Sequence, residues 1–161
     1  MSESGAPPRP GPEHQALAPF AGRWRTAGQV LASGSTPALE IAGTDEYEWL
    51  PGGFFLLHRV DVRIGGEPVQ ALEVIGWDAE RASYFMRSFD SQGNTGEMRA
   101  RVDADGTWRF EGDAERFTGT FSDGGGTLSG RWERREGDDW LPWMDVRLSK
   151  GSATSGAGGD G

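Results

Sequence analysis

The chain has 161 residues, which is enough for one domain with a buried core. Its formal net charge of −9 disfavours nucleic acid and anionic membrane surfaces, because both would repel it. It has no cysteine, which excludes disulfides, thiolate chemistry and cysteine-ligated zinc. No apolar run reaches the length of a membrane span, and the N-terminus lacks the apolar stretch of a secretory signal. These features predict a cytoplasmic protein with no nucleic-acid or membrane partner.

Both ends of the chain have compositions typical of disorder. Residues 1–12 are mostly Pro, Ser and Gly, and residues 151–161 are mostly Gly, Ser and Ala, so neither end can bury much apolar surface. We expect a single domain over residues 13–150. It begins with one or two helical turns from Glu13 to Phe20, in which we expect His14 to be exposed to solvent.

After Gly22, apolar residues recur at every second position, which is the period of strands buried on one face. Short turns rich in Gly and Asp separate the strands, as in a succession of hairpins. About ten strands are predicted, at residues 23–31, 39–50, 54–64, 69–77, 83–89, 95–102, 107–111, 116–121, 128–135 and 140–148.

Successive hairpins predict an all-β, antiparallel meander. A meander of about ten strands would leave two exposed edges unless it closes, so we expect an up-and-down barrel with a short N-terminal helix. A two-sheet sandwich is the alternative, but it needs a long crossover connection that the sequence does not contain. A barrel of this size is wide enough to hold one small ligand.

The third strand carries the one histidine that we expect to point inward. It follows a tight turn at Pro51–Gly53, and one of its faces is apolar except for His58. The imidazole is either a buried group bonded to a neighbouring strand, or a polar anchor or acid–base group in a cavity. Glu73 is its candidate partner if that side of the fourth strand faces inward; an outward Glu73 would be an ordinary surface charge. Tyr84 is a further acid–base candidate.

The fifth strand has two possible inward faces. We expect the face with Tyr84, Met86, Ser88 and Asp90 to point inward, whereas an inward Arg87 would mark a carboxylate-binding site. From the inward positions of all strands we predict the following ligand-binding residues: Phe54, Leu56, His58, Trp77, Tyr84, Met86, Ser88, Trp108, Trp132 and Met144.

Several kinds of site have no support in the residues. No second inward histidine accompanies His58, so no metal site is predicted. The sequence has no nucleophile elbow, and its Gly-rich turns join strands and do not open helices as phosphate loops do. We therefore predict neither a metal nor a cofactor.

Three groups of motifs carry a resemblance to a known family. They are LAPFAGRWRTAG at Leu17–Gly28; EYEWLPGGFFLLHR at Glu46–Arg59, with GWD at Gly76–Asp78 and FDSQGN at Phe89–Asn94; and SGRWERREGDDWLPWMDVRLSK at Ser129–Lys150. Through them the chain resembles the bacterial lipocalin-like proteins of the DUF1579 type, in the calycin superfamily. The resemblance implies a calycin barrel with a central cavity, and a Trp24 that packs over the closed end.

The resemblance implies no single activity, because families with this fold include carriers of apolar ligands, haem proteins, and cyclases or isomerases. Haem with His58 as its sole axial ligand is disfavoured. The nitrobindin-like proteins that this chain distantly resembles place that ligand in the C-terminal strands, where this chain has Trp143-Met144-Asp145.

Three functions follow from these observations. The leading hypothesis is a protein, monomeric or homodimeric, that binds a small, largely apolar molecule in the barrel cavity with His58 as its polar anchor. The alternative is a cofactor-free enzyme of the cyclase or isomerase type, in which His58, with Glu73 or Tyr84, supplies acid–base groups in the same cavity. A third possibility is a structural or interaction module, which a barrel filled with side chains would favour.

Overall fold

Ten antiparallel strands form a closed barrel in the computed structural model, which describes residues 6–151. Each strand pairs with the next one in sequence, and the first pairs with the last. The predicted up-and-down barrel is therefore confirmed, and the sandwich is excluded. The strands are β1 (Gly22–Val30), β2 (Leu39–Trp49), β3 (Leu56–Ile64), β4 (Glu67–Asp78), β5 (Ser83–Asp90), β6 (Thr95–Val102), β7 (Trp108–Glu111), β8 (Glu115–Ser122), β9 (Thr127–Glu136) and β10 (Asp139–Lys150).

The third strand begins two residues later than predicted. Gly52 and Gly53 both adopt positive φ angles, of 110° and 81°, and the Leu50 amide donates to the Phe55 carbonyl at 2.8 Å. Phe54 and Phe55 therefore belong to the β2–β3 turn, which only glycines at its tip allow without strain.

A short N-terminal segment closes one end of the barrel. It consists of the helix α1 (Pro12–Gln15) and a 3-10 turn at Ala18–Phe20, and it buries Leu17 and Phe20 almost completely. The Trp24 indole donates to the Phe20 carbonyl at 2.8 Å, which ties this segment to β1.

His14 is half-buried, so the expectation of an exposed side chain was wrong. Its ring packs edge-on against Phe54 with centroids 5.2 Å apart, and its Nδ1 accepts a hydrogen bond from the Gly11 amide. The aromatic side chain in the β2–β3 turn covers it, which the local sequence around His14 does not show.

The barrel closes between β1 and β10, where Gly28 lies opposite Val146. A Cβ atom on Gly28 would collide with the backbone carbonyl oxygen of Asp145. The absence of a side chain at this position lets the two strands approach closely enough to complete the ladder.

The tenth strand carries a bulge. Its register with β9 shifts between Pro142 and Met144, so Trp143 is an extra residue in the pairing. As a result, the consecutive residues Trp143 and Met144 both line the barrel interior.

The predicted disordered ends fall partly outside the described residues, which exclude 1–5 and 152–161. Residues 6–11 form neither helix nor strand, and Pro10 lies against Gly53. Among the described residues, no helix is long and apolar enough to cross a membrane.

Candidate functional site

The barrel contains a cavity of about 370 Å³ away from the end that the N-terminal segment closes. Its lining is mostly apolar, with polar side chains concentrated on β1–β5. The apolar side chains on the opposite wall are Phe110, Phe117, Leu128, Trp132, Trp143, Met144, Val146 and Leu148. The cavity therefore has one mixed wall and one wall that is apolar except for Glu115 on β8.

A carboxylate–imidazole–carboxylate cluster lies on the mixed wall. His58 Nε2 is 2.6 Å from Asp45 Oδ1, and His58 Nδ1 is 2.7 Å from Glu73 Oε1. The Thr26 hydroxyl donates to Asp45 Oδ2, so both oxygens of that carboxylate are engaged. We call these four residues the His58 cluster.

Strand register brings the cluster together. His58 on β3 lies directly opposite Tyr47 on β2 and Glu73 on β4, so all three point to the same face. Asp45 lies two residues before Tyr47 and therefore also points inward. Thr26 reaches Asp45 from β1, diagonally across the β1–β2 ladder.

The cluster is largely shielded from water. The side chains of His58 and Asp45 are each 9% exposed, and that of Glu73 is 17% exposed. The Tyr47 ring stacks on the imidazole with centroids 3.8 Å apart and an interplanar angle of 9°. Stacking on one side and carboxylates at both nitrogens hold the imidazole in a single orientation.

The two carboxylates keep His58 protonated at neutral pH. Burial is the largest single influence and lowers the pKa of His58, but the negative charges of Glu73 and Asp45 and their hydrogen bonds together outweigh it. The net effect raises the pKa from 6.5 to about 9. Burial, reinforced by Asp45 and Glu73, also raises the pKa of Tyr47 well above its ordinary value, which keeps its hydroxyl protonated.

This arrangement limits what His58 can do. A protonated imidazole donates from both nitrogens, and both donate to carboxylates, so neither nitrogen offers a lone pair to a haem iron or to a substrate proton. Glu73 keeps one polar atom available, because within residues 6–151 its Oε2 accepts no hydrogen bond from a protein donor. The polar contact that the cluster offers to the cavity is therefore the Glu73 carboxylate.

The predicted ligand-binding residues fall into two groups. Five line the cavity: His58, Met86, Ser88, Trp132 and Met144. Five lie outside it: Phe54, Leu56, Trp77, Tyr84 and Trp108.

The second group packs against the closed end of the barrel and its turns. Phe54 covers His14, and Leu56 is fully buried in the core. Tyr84 packs between Trp77 and Trp108, with ring centroids 4.8 and 5.0 Å away, and its hydroxyl donates to the Glu13 carbonyl at 2.7 Å. The assignment of these five residues to the cavity is corrected accordingly, because the N-terminal segment fills the end where they meet.

The fifth strand points its expected face inward. Tyr84 and Met86 are 4% exposed, and Ser88 and Asp90 line the cavity. Arg87 points outward, with its guanidinium 3.7 Å from Glu97 on the exterior. No inward arginine on β5 marks a carboxylate-binding site.

Sequence reasoning did not single out Asp45 and Thr26. Asp45 shares the strand face of Ile41 and Tyr47, so its parity already indicated an inward carboxylate. Thr26 shares the face of Trp24 on β1, but a threonine in a strand carries no specific signal of such a contact.

The fold and site define a closed antiparallel barrel with an apolar cavity and one buried, charged cluster in its wall. The family described as "Protein of unknown function (DUF1579)" matches residues 9–114, and the chain belongs to it. This confirms the resemblance seen in the sequence motifs.

The remaining comparisons add little beyond the family. None of the curated proteins is similar in sequence. Among solved structures, a de novo designed fluorescence-activating β-barrel is similar at 15% identity and a TM-score of 0.46, covering 84% of this chain and 97% of the designed one. Similarity at that level carries no functional information.

Proposed function

We propose that this protein binds a small, largely apolar molecule in the barrel cavity. The observation that carries the proposal is a cavity of about 370 Å³, lined mostly by apolar side chains, with one buried polar cluster in its wall. That combination of apolar surface and few, fixed polar groups is typical of small-molecule sites.

In this proposal the two walls of the cavity make different contacts with the ligand. The aromatic side chains of Phe117 and Trp132 supply apolar contact on one side, with ring centroids 5.2 Å apart. The His58 cluster supplies polar contact on the other side. A ligand with an apolar body and one polar end fits this division.

His58 serves as polar anchor in this proposal by acting through Glu73. Because both ring nitrogens bind carboxylates, the imidazole fixes the Glu73 side chain and leaves Oε2 free for the ligand. Tyr47 and Thr26 hold His58 and Asp45 in place from β2 and β1. A cytoplasmic location and a monomeric or homodimeric state stay predictions from the sequence.

The free Glu73 oxygen also supports a second candidate function, a cofactor-free enzyme of the cyclase or isomerase type. A carboxylate in the wall of a cavity can accept a substrate proton. His58 itself would act as a charged positioning residue, since its nitrogens are occupied, and Tyr84 is bonded to Glu13 outside the cavity. This function would be established if the wild-type protein turned over a substrate and the Glu73→Gln variant bound that substrate normally but did not turn it over.

The binding proposal is tested with a panel of apolar probes and isothermal titration calorimetry. The cavity-filling variant Ala71→Phe places a ring in the space, because Ala71 lines the cavity on β4. The matched control is Gln70→Phe, which adds the same ring to the exposed outer face of that strand.

We expect the wild-type protein and Gln70→Phe to bind at least one probe with equal affinity, and Ala71→Phe to bind it at least about tenfold more weakly, a loss of about 1.4 kcal/mol. Native mass spectrometry of the purified protein gives an independent check for a co-purified small molecule. Failure of a folded wild-type protein to bind any probe, or equal binding by Ala71→Phe, would overturn the proposal.

A further inference from the structure

The charged groups that line the cavity are mostly acidic. Four carboxylates line it, from Asp45, Glu73, Asp90 and Glu115. The only basic side chain in the described lining is His58, and no lysine or arginine is part of it. A cavity built for a carboxylate ligand would place a cation there.

The His58 cluster carries an unbalanced charge. Two carboxylates and one imidazolium sum to a formal charge of −1, in side chains that are 9% to 17% exposed. An uncompensated charge that is mostly removed from water is costly, and a nearby opposite charge relieves that cost.

One carboxylate oxygen of the cluster has no hydrogen-bond donor from the described part of the protein. Both oxygens of Asp45 are engaged, by His58 and Thr26, but Glu73 Oε2 accepts no hydrogen bond from a protein donor within residues 6–151. This oxygen can accept a hydrogen bond from a ligand donor, and a charged donor gives the stronger contact.

The carboxylates at the cavity mouth have other roles or lie further out. Asp90 accepts hydrogen bonds from the amides of Gln92 and Asn94 and from the Asn94 side chain, which closes the β5–β6 turn. Glu115 is half-buried where β8 begins. Both add negative potential along the path to Glu73.

One cation lies near the mouth, but it faces an aromatic ring. The guanidinium of the exposed Arg134 is 3.8 Å from the ring centroid of Trp143. The guanidinium therefore stacks on Trp143 at the solvent edge, and within residues 6–151 it makes no ion pair with the His58 cluster.

We propose that the ligand is an apolar molecule bearing a protonated amine, whose ammonium group binds Glu73 while its apolar body packs on the wall formed by Phe117 and Trp132. This inference rests on the proposed binding function and specifies the chemical class of the ligand. The ammonium group supplies the positive charge that the cluster lacks, and the aromatic wall supplies the apolar contact.

The test compares three probes with the same naphthylmethyl body and different polar ends: naphthylmethylamine, naphthylmethanol and naphthylacetate. Calorimetric titration near neutral pH gives their affinities for the wild-type protein. We expect the amine to bind at least about tenfold more tightly than the alcohol, and the carboxylate to bind most weakly.

The variant Glu73→Gln tests which carboxylate is responsible. It should weaken amine binding at least about tenfold and leave alcohol binding within about twofold, because only the charge contact is lost. The matched control is Glu97→Gln, which removes the same charge from the exposed exterior of β6 and should change neither affinity.

The outcomes separate the two proposals. If the alcohol binds as tightly as the amine, or the carboxylate binds most tightly, the amine specificity is overturned while the binding function stands. If no probe binds a folded wild-type protein, the binding function fails and the inference fails with it. The wild-type series decides the amine specificity even if Glu73→Gln does not fold.

Discussion

His58 and Glu73 are direct partners across the β3–β4 ladder, and Nδ1 of the imidazole lies 2.7 Å from Oε1 of the carboxylate. With Asp45 on the second ring nitrogen, His58 is a buried cation between two anions. Removal of the cation leaves two carboxylates close together without compensation, so His58 is central to stability as well as to the proposed site.

His58→Gln should destabilise the protein strongly. The neutral amide cannot balance Asp45 and Glu73, and loss of one member of a buried charge network costs about 3–5 kcal/mol. Urea unfolding near neutral pH measures the loss. The control His14→Gln removes a half-buried ring that packs on Phe54 and should cost about 1 kcal/mol or less. An equally small cost for both variants would contradict the charged cluster.

The stability of the wild-type protein should decrease as pH rises above neutrality. The pKa of His58 is raised to about 9 in the folded state, whereas an unfolded histidine titrates near 6.5. The folded state therefore binds the proton more tightly, and its contribution is complete below about pH 6.5 and lost as pH rises through about 9.

The size of that contribution is about 3 kcal/mol, from the difference between the two pKa values. Urea unfolding at a series of pH values would measure it, with His58→Gln as the control that should lack this dependence. An NMR titration of the His58 ring with a midpoint near 6.5 would contradict the prediction.

Thr26→Val should destabilise the cluster without changing the shape of the core. Valine keeps the volume of threonine but cannot donate to Asp45, and loss of a hydrogen bond to a charged group costs about 1.5–3 kcal/mol. Thermal or urea unfolding measures this loss of unfolding free energy relative to the wild-type protein. The control Thr44→Val changes an exposed threonine of β2 and should be within about 0.5 kcal/mol of wild type.

Gly28→Ala should weaken the closure of the barrel. The added methyl group meets the Asp145 carbonyl, which belongs to the neighbouring backbone and cannot move without disturbing the β1–β10 ladder. Overpacking of this kind costs about 1–3 kcal/mol or more. Gly96→Ala is the control, because its Cβ would meet only the Ser88 side chain. Amide hydrogen exchange in β1 and β10 should be faster in Gly28→Ala than in the wild-type protein.

Tyr84→Phe should loosen the N-terminal segment and leave ligand binding unchanged. The variant loses the hydrogen bond to the Glu13 carbonyl, at a cost of about 0.5–1.5 kcal/mol, while the ring keeps its packing on Trp108. Probe affinity and unfolding free energy should be measured on the same sample. A large drop in affinity would place Tyr84 in the site, contrary to the geometry.

Local sequence pattern predicted the succession of hairpins and the inward face of most strands. Alternation of apolar and polar side chains follows from the two-residue repeat of a strand, so residues such as Met98, Ala100 and Leu148 could be placed inside from local pattern alone. Gly- and Asp-rich turns between neighbouring strands predicted the hairpins, and closure followed from the cost of exposed edges.

Tertiary structure alone decided where along the barrel each inward residue lies. Trp77, Tyr84 and Trp108 share the inward face with Ser88 and Trp132, but the buried N-terminal segment fills their end and leaves the cavity at the other. Pattern along one strand fixes the face, whereas depth depends on how neighbouring strands are staggered.

The pairing of neighbouring strands also explains how the His58 cluster forms. Parity alone allowed Glu73 to face His58 and Asp45 to point inward, but contact requires three strands in one register. Only the paired strands bring both carboxylates to the two ring nitrogens, and only their combined charge reverses the effect of burial on the pKa of His58. Local sequence determined which side chains enter the barrel, and long-range strand pairing decided which of them meet.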